Sequence, residues 1–487
     1  MKTQPLKILT NVFICTRENR LQLVDIYFNS KIERIEPSLD TEIDWRDISD
    51  KEKWEAFKEE IPEQKFPPQL KTYDGNFMLL IPGAIDTHVH FNTPGFEHHE
   101  TFETGSLAAA YGGVTTVVDM PCTSKPPVTS IQDLIKKRKF IEGKSWVDYA
   151  FWGGVRGEDF DNPFYDQEGE LLSLGRADVV GFKAYLISGM KGFRDLVYEE
   201  MLLAAKSIKK TGKPLAVHAE DKHYISYKLS LNRGKYLNNW REYCEARDDI
   251  AEAKAIATMV RIAKKTKCPI HIVHLSSELG LEVVRKAQLE GLKFTAETCP
   301  HFLYFTQKDF QNEEISNFLK TAPPVKLKKD RDALWDGLSE GTISFVTTDH
   351  AGCDPIKEKS SWNFWEVYGG IPGVEHRVPF LFSEGFKKGR LTLSQTIRLL
   401  STNPAIFTGL KNKGSLDEEK DADFTLIDLW DNQVVKAENM HSKGKYSPFE
   451  GVKFGAIVEA TFLRGNLIMK RDGESEVDVG YGKFLEG

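Results

Sequence analysis

The stretch MLLIPGAIDTHVH, residues 78–90, combines a strand signal with a metal-binding signal. Its first part, from Met78 to Ile85, is an apolar run of the kind that forms a buried strand. Its last part places His88 and His90 two residues apart, and on a strand this spacing points both side chains to the same face. Two imidazoles on one face can bind a common cation. The stretch therefore predicts a buried strand that ends in metal ligands.

Seven further apolar runs follow, and helix-like segments separate several of them. The predicted strands are 114–118, 149–152, 179–182, 215–217, 270–273, 294–296 and 343–346. Helical periodicity appears in 198–209, 250–265 and 281–290. Eight strands that alternate with helices over this length predict an α/β fold, a (β/α)8 barrel of the TIM type. Periodicity alone also permits a doubly wound sheet.

Both ends of the chain are rich in short strand signals, which suggests that they build one small β-sandwich domain. We expect residues 1–77 to form its N-terminal part, with an inserted polar loop at about 38–72 that contains one short helix. Residues 78–412 are expected to form the barrel. Residues 413–487 are expected to complete the β-sandwich domain.

The predicted barrel strands end in residues that bind or activate metals. These residues are His88 and His90 after the first strand, Lys183 after the fourth, His218 after the fifth, His274 after the sixth, and Asp349 with His350 after the eighth. Because the carboxyl ends of barrel strands converge on one face, these side chains are expected to meet in one pocket. A carboxylate such as Asp349 can coordinate a metal and also carry a proton to a leaving nitrogen. We therefore predict a metal-dependent active site.

Lys183 stands in an otherwise apolar strand, and lysine is rarely buried without a partner. Two explanations remain open from the residues alone. The side chain could reach solvent at the barrel rim, or its amine could be converted into an anionic ligand. His301 is a further candidate for the pocket wall. The other histidines are assigned surface or packing roles: His98, His99, His223, His271, His376 and His441.

Composition argues against several classes of protein. The net charge is −7 and no Lys/Arg-rich block dominates, which disfavours nucleic-acid binding. No uncharged apolar run has the length of a membrane span, and the first residues lack the pattern of a secretory signal. The six cysteines are scattered without a Cys-x-x-Cys pair. We expect a cytoplasmic protein that acts on a small molecule and binds neither nucleic acid nor membrane.

The motifs together resemble those of the cyclic amidohydrolases, which include dihydroorotase, allantoinase and hydantoinase or dihydropyrimidinase. The matching motifs are 82–90, 112–116, the lysine strand, 218–220, 274–277, 348–350, 422–424 and 464–466. This resemblance covers nearly the whole chain. It implies a hydrolase that cleaves a carbon–nitrogen bond of a cyclic amide, on a TIM barrel. It also implies a homo-oligomer, a dimer or a tetramer.

The resemblance further implies a binuclear metal centre, most simply with two zinc ions. By this resemblance His88, His90 and Asp349 bind one metal, His218 and His274 bind the second, and N6-carboxylated Lys183 bridges the two. A metal-bridging hydroxide would then attack the ring carbonyl. Asp349 would act as general base and then as general acid toward the leaving nitrogen.

Among the family members, allantoinase is the most similar in its motifs. Dihydroorotases typically have Leu-Arg where this chain has Phe91-Asn92, and hydantoinases have a substrate-binding tyrosine where it has Ser188. Allantoin is a neutral ureide, which suits a neutral pocket with Asn92, Ser188 and backbone donors. Cys353 and His301 are expected as further substrate contacts. The expected reaction is the opening of allantoin to allantoate, in purine or pyrimidine metabolism.

Alternatives to this assignment remain. The chain could be a dihydroorotase or a hydantoinase with a variant pocket. A non-catalytic scaffold would be expected to lose metal ligands, but all six expected positions are present. A mononuclear hydrolase acting on exocyclic amines would not need Lys183.

Overall fold

Eight parallel strands form a closed barrel in the computed structural model, which describes residues 5–62, 67, 69–231 and 238–486. The strands are Ala84–His90, Val114–Asp119, Asp148–Phe151 continued by Gly153–Gly154, Phe182–Tyr185, Leu215–His218, Ile270–Ile272, Phe294–Thr298, and Phe345–Val346 continued by His350–Ala351. The last strand closes the barrel on the first, where His350 pairs with Val89. The predicted TIM-type barrel is confirmed.

Helices follow the strands around the outside of the barrel. The longer ones are Phe102–Tyr111, Ile131–Ile141, Gln167–Arg176, Tyr198–Thr211, Asp249–Thr266, Glu278–Leu289 and Lys328–Glu340. Lys222–Leu231 is as long as the first of these, and shorter helices are Glu158–Asp161, Trp240–Ala246, Pro300–Tyr304, Glu313–Ser316, Pro355–Glu358, Arg377–Phe380, Leu393–Ile397 and Asn403–Thr408, with π-helical turns at Leu381–Phe386 and Arg398–Thr402. Side-chain caps start several of them; the Ser277 hydroxyl, for example, accepts from the Gly280 N–H. None of the helices in the described part of the chain is long and apolar enough to cross a membrane.

A seven-stranded sheet joins the two ends of the chain. Its strands, in spatial order, are Asn466–Lys470, Ile457–Leu463, Phe424–Asp428, Lys71–Pro82, Lys7–Cys15, Leu21–Phe28 and Ile32–Pro37. Phe28 and Phe462 lie on strands with three others between them, yet their ring centroids are 6.2 Å apart. In a flat sheet this separation would be about 19 Å at ~4.8 Å per strand, so the sheet curls around its own apolar core. The prediction of a β-rich domain built from both termini is confirmed.

The apolar run Met78 to Ile85 belongs to two strands. Lys71–Pro82 lies in the seven-stranded sheet, and Ala84–His90 is the first barrel strand. Gly83 makes the change of direction, and a Cβ there would lie 2.2 Å from the Thr115 hydroxyl oxygen. The sequence pattern placed this change between residues 77 and 78. Both strands are buried where they meet, so the residues on either side of Gly83 are equally apolar. The hydrophobic pattern therefore does not show where one strand ends and the next begins.

The segment predicted as an insertion contains the helix Lys51–Glu60. Its Trp54 ring stacks on Trp430 of the C-terminal segment, with centroids 4.7 Å apart. This contact fixes the helix against the β-rich domain. Residues 63–66 and 68 of the predicted insertion lie outside the described part of the chain.

A buried charge cluster holds the barrel against the β-rich domain. The Lys413 ammonium lies 2.7 Å from Asp148 at the start of a barrel strand, 2.9 Å from Asp421 and 2.6 Å from Asp423. Arg464 donates a further hydrogen bond to Asp148. All five side chains are largely buried. Their charges are therefore compensated by each other and by Lys31, whose ammonium lies 2.6 Å from Asp421, rather than by solvent alone.

Candidate metal centre and its cavity

His88, His90 and Asp349 form one cluster at the carboxyl face of the barrel. The Nε2 atoms of His88 and His90 each lie 3.1 Å from the Asp349 Oδ1. The three ligand atoms lie within 4.8 Å of one another, close enough to share one ion. Although burial would raise it, the neighbouring imidazoles hold the pKa of Asp349 well below its usual value. The carboxylate is therefore anionic.

His218 and His274 form a second pair beside this cluster. The Nδ1 of His218 and the Nε2 of His274 are 3.0 Å apart, and both side chains are buried. Burial lowers the pKa of both imidazoles, that of His274 strongly. Neutral imidazoles are the form that binds a cation.

Lys183 is fully buried near both groups of ligands. Its Nζ lies 5.0 Å from the centre of the Tyr185 ring and has no hydrogen-bond partner among the described residues. Burial lowers the pKa of the amine to about 8. The explanation that this lysine reaches solvent at the barrel rim is therefore wrong. Conversion of its amine into an anionic ligand stays a prediction.

Hydrogen bonds on the far side of His88 orient its ring. Its Nδ1 lies 2.5 Å from the Glu297 Oε1, and the other oxygen of Glu297 lies 3.1 Å from His271 Nε2. A carboxylate behind a metal-binding histidine fixes the ring orientation and raises its basicity. Sequence analysis missed Glu297, and its position at the end of the seventh barrel strand was the available signal.

His218 has a similar partner. Its Nε2 lies 2.7 Å from the Glu220 Oε2, and Glu220 also accepts two hydrogen bonds from the Arg247 guanidinium, that from Nε at 2.9 Å. Although burial would raise it, the guanidinium holds the pKa of Glu220 well below its usual value. For His90, the Nδ1 lies 3.1 Å from the Thr123 hydroxyl. These contacts leave His218 Nδ1 and His90 Nε2 directed at the two ligand clusters.

A cavity of about 770 Å³ opens above these ligands and is lined by all six. The predicted substrate contacts Asn92 and Ser188 also line it. The Asn92 side-chain nitrogen is buried and has no partner among the described residues, which leaves it available to a ligand. Two other predicted contacts are not part of the lining. Cys353 lies behind it, 3.4 Å from the Tyr446 hydroxyl, and His301 is buried with a pKa that burial lowers to about 4.

The wall of the cavity is more aromatic and more basic than the predicted neutral pocket. Five aromatic side chains line it: Phe96, Tyr185, Tyr243, Trp365 and Tyr368. Lys125, Lys191 and Lys320 line it as well, while Asp349 is the only acidic side chain among the described lining residues. His99, assigned a surface role from its polar neighbours, also belongs to the wall. Apart from the aromatic residues on regular elements, such as Tyr243 in the helix Trp240–Ala246, these residues come from loops, whose position in space the strand pattern does not reveal.

Comparison with known proteins agrees with this geometry. The model of the amidohydrolase family matches residues 79–468. The chain belongs to the amidohydrolase family. This amidohydrolase is 35% identical over 426 residues to the allantoinase of Bacillus licheniformis, across 86% of this chain and 92% of that protein. It is 34% identical over 417 residues to the allantoinase of Rubrobacter xylanophilus, across 85% and 88%.

Solved structures of hydantoinases have the same fold as this amidohydrolase. The L-hydantoinase (dihydropyrimidinase) from Arthrobacter aurescens superposes with a TM-score of 0.86 at 26% identity, covering 99% of both chains. The D-hydantoinase (dihydropyrimidinase) from Thermus sp. gives 0.84 at 26% identity over 98% of both. The predicted enzyme class, a hydrolase of this family, is confirmed.

Proposed function

We propose that this amidohydrolase opens the ring of allantoin to give allantoate, at a binuclear metal centre. The observation that carries the proposal is the meeting of six ligand side chains from five barrel strands at one end of a cavity. The allantoinase names of the relatives described above support the choice of substrate.

The ligand side chains fit two divalent ions. His88, His90 and Asp349 would hold one, His218 and His274 the other, with carboxylated Lys183 between them. Nitrogen and carboxylate donors suit zinc. The fit rests on Lys183, whose buried amine lacks a partner among the described residues. Carboxylation would exchange a cation that repels metals for an anion that binds both. When bound, the ions would supply an activated water and polarise the ring carbonyl.

The protein's own groups would bind the substrate and move the proton. Asp349, an anion at the cavity floor, would accept the proton of the attacking water on its carboxylate and donate it to the leaving ring nitrogen. The Asn92 amide would donate a hydrogen bond to a carbonyl oxygen of the substrate ring, and Ser188 would lie beside the ureide substituent of the substrate. The buried cavity floor would keep bulk water from the reacting atoms.

A second candidate substrate class is the hydantoins with large substituents. The cavity volume of about 770 Å³ and its five aromatic wall residues favour a ring that carries a bulky apolar group. The hydantoinase names of the structural neighbours support the same alternative.

The test is a parallel ring-opening assay of zinc-loaded protein on allantoin, dihydroorotate, dihydrouracil, hydantoin and an aryl-substituted hydantoin. We expect the highest kcat/KM for allantoin, and loss of activity in Asp349→Asn. The control His223→Asn changes an exposed histidine outside the cavity and should behave as wild type. Preference for the aryl hydantoin would support the second candidate. Inactivity on every ring would support the scaffold alternative and contradict the proposal.

We further propose that the protein acts in the cytoplasm as a homo-oligomer. All six cysteines are free thiols, as expected in a reducing compartment. The oligomeric state follows from the family resemblance alone, and light scattering of purified protein would test it. A monomer at micromolar concentration would contradict it.

A further inference from the structure

Tyr185 lies against the ligands of the metal centre. It follows Lys183 by two residues on the fourth barrel strand, so both side chains point to the same side. The Lys183 Nζ is 5.0 Å from the centre of its ring, and the ring stacks on His218 at 5.5 Å and 28°. The phenol is thereby held in place by its packing, and it lines the cavity.

The hydroxyl of Tyr185 has only a weak partner. Its Oη lies 3.0 Å from the Cys122 Sγ, which lies 3.9 Å from the Nδ1 of His90. No oxygen or nitrogen atom of the described residues accepts a hydrogen bond from it, and sulfur is a weak acceptor. The ring of Tyr185 therefore packs against His218, while its hydroxyl points toward Cys122 and His90. A substrate bound above the ligands would offer this hydroxyl a better acceptor.

We propose that Tyr185 is a catalytic residue. When substrate binds, its hydroxyl gives up its hydrogen bond with the Cys122 thiol and donates instead to the carbonyl oxygen of the amide under attack. This inference rests on the proposed function. As water adds to the carbonyl carbon, that oxygen gains negative charge, and a hydrogen bond from the phenol strengthens with it. A donor that is already held in place stabilises this charge without reorganising. Its effect therefore falls on kcat more than on KM.

A purely structural role for Tyr185 makes a different prediction. If the residue only packs against Lys183 and His218, then phenylalanine would serve equally well, since it keeps the ring and removes only the hydroxyl. The matched control is Tyr446→Phe. Tyr446 also contacts a thiol, at 3.4 Å from Cys353, but it is not part of the cavity lining. The substitution removes a buried hydroxyl that contacts the Ala351 backbone carbonyl at 3.2 Å but does not itself border the cavity.

The experiment compares wild type, Tyr185→Phe and Tyr446→Phe, each zinc-loaded, for kcat, KM, metal content and thermal stability. We expect Tyr185→Phe to lower kcat by roughly 10²-fold, the size of effect known for removal of one such donor, with KM and metal content unchanged. Tyr446→Phe should keep kcat while its melting temperature falls, because its hydroxyl donates to the Gly370 carbonyl at 2.9 Å.

The possible failures are distinguishable. Wild-type kcat in Tyr185→Phe, with the parent enzyme active on one of the rings, would overturn this inference alone. Loss of metal together with kcat would also overturn it, because the hydroxyl would then act on the ligands rather than on the substrate. A wild-type protein inactive on every ring tested would overturn the proposed function and this inference with it.

Discussion

Replacing Arg247 by methionine should destabilise the protein and weaken its metal binding together. Arg247 neutralises Glu220 through two hydrogen bonds, and Glu220 in turn accepts from His218. The Glu220 side chain is 1% exposed, so water cannot take the place of the guanidinium. The substitution would leave a buried carboxylate without its counter-charge.

The expected loss follows from these contacts. Removing one partner of a buried ion pair costs about 3–5 kcal/mol of unfolding free energy. Because Glu220 keeps its hydrogen bond with His218, we expect about 3 kcal/mol, the lower end of that range. Without the guanidinium, Glu220 is no longer held in place behind His218, so the His218 ring is less firmly oriented and metal affinity should fall roughly 10- to 100-fold.

The loss should also depend on pH. In the wild type the pKa of Glu220 lies well below 4.5, so its stabilising contribution is present above that value and disappears only as pH falls through the lowered pKa. In Arg247→Met, burial would raise this pKa instead. Protonation of Glu220 on acidification would then relieve the buried charge. The stability difference between wild type and variant should therefore be largest at neutral pH and shrink as pH approaches 4.5.

Urea unfolding of the chelated proteins, followed by circular dichroism, measures the stability loss, and chelator competition measures metal affinity. The double variant Glu220→Gln/Arg247→Met removes the unpaired charge, so it should regain most of the stability but not the affinity. Arg241→Met, an exposed arginine, is the control. A loss below about 1 kcal/mol, or a double variant less stable than Arg247→Met, would refute the reasoning.

Three further predictions concern other buried groups. Lys413→Met removes the cation shared by Asp148, Asp421 and Asp423 and leaves Asp423 without a basic partner in the described part of the chain, while Arg464 and Lys31 still pair with Asp148 and Asp421. It should lower the unfolding free energy by about 3–5 kcal/mol in urea titration, whereas exposed Lys411→Met should not; equal values would argue against the charge cluster as an anchor. Glu297→Gln should weaken metal binding at His88 roughly 10- to 100-fold in chelator competition, and unchanged affinity would contradict the orienting role. Lys183→Ala should retain at most about one ion per chain by mass spectrometry and lose activity, since no bridging anion can form; an active variant with both ions would rule out the binuclear mechanism.

The barrel, and the gathering of the candidate ligand side chains at one of its faces, could be predicted because both depend on local patterns. Buried parallel strands are continuous apolar runs, and several of these runs are followed directly by a polar residue, such as His218 or Lys183. The convergence of strand ends on one face then brings distant residues together without any knowledge of the loops. The full burial of Lys183 could not be predicted, since a lysine at a strand end has the same pattern whether or not it reaches solvent.

Features that depend on loop geometry and on contacts between domains could not be predicted from the sequence. Arg247 acts through hydrogen bonds with Glu220, 27 residues earlier in the sequence, and nothing in its sequence neighbours marks it. Lys320 enters the cavity wall from the loop after the seventh strand, and its ammonium is held by the carbonyls of Trp365 and Val367. Such positions follow from loop geometry, which residue periodicity does not encode.

The break at Gly83 has a consequence for attempts to shorten the protein. The strand Lys71–Pro82 forms the middle of the β-rich sheet, and two residues after its end the chain is already in the strand that presents His88 and His90. A catalytic barrel excised at this point would begin with a frayed terminus at Gly83, five residues before His88. The seven-stranded sheet thus holds the start of the first barrel strand in place, and a shortened enzyme would need another element that does so.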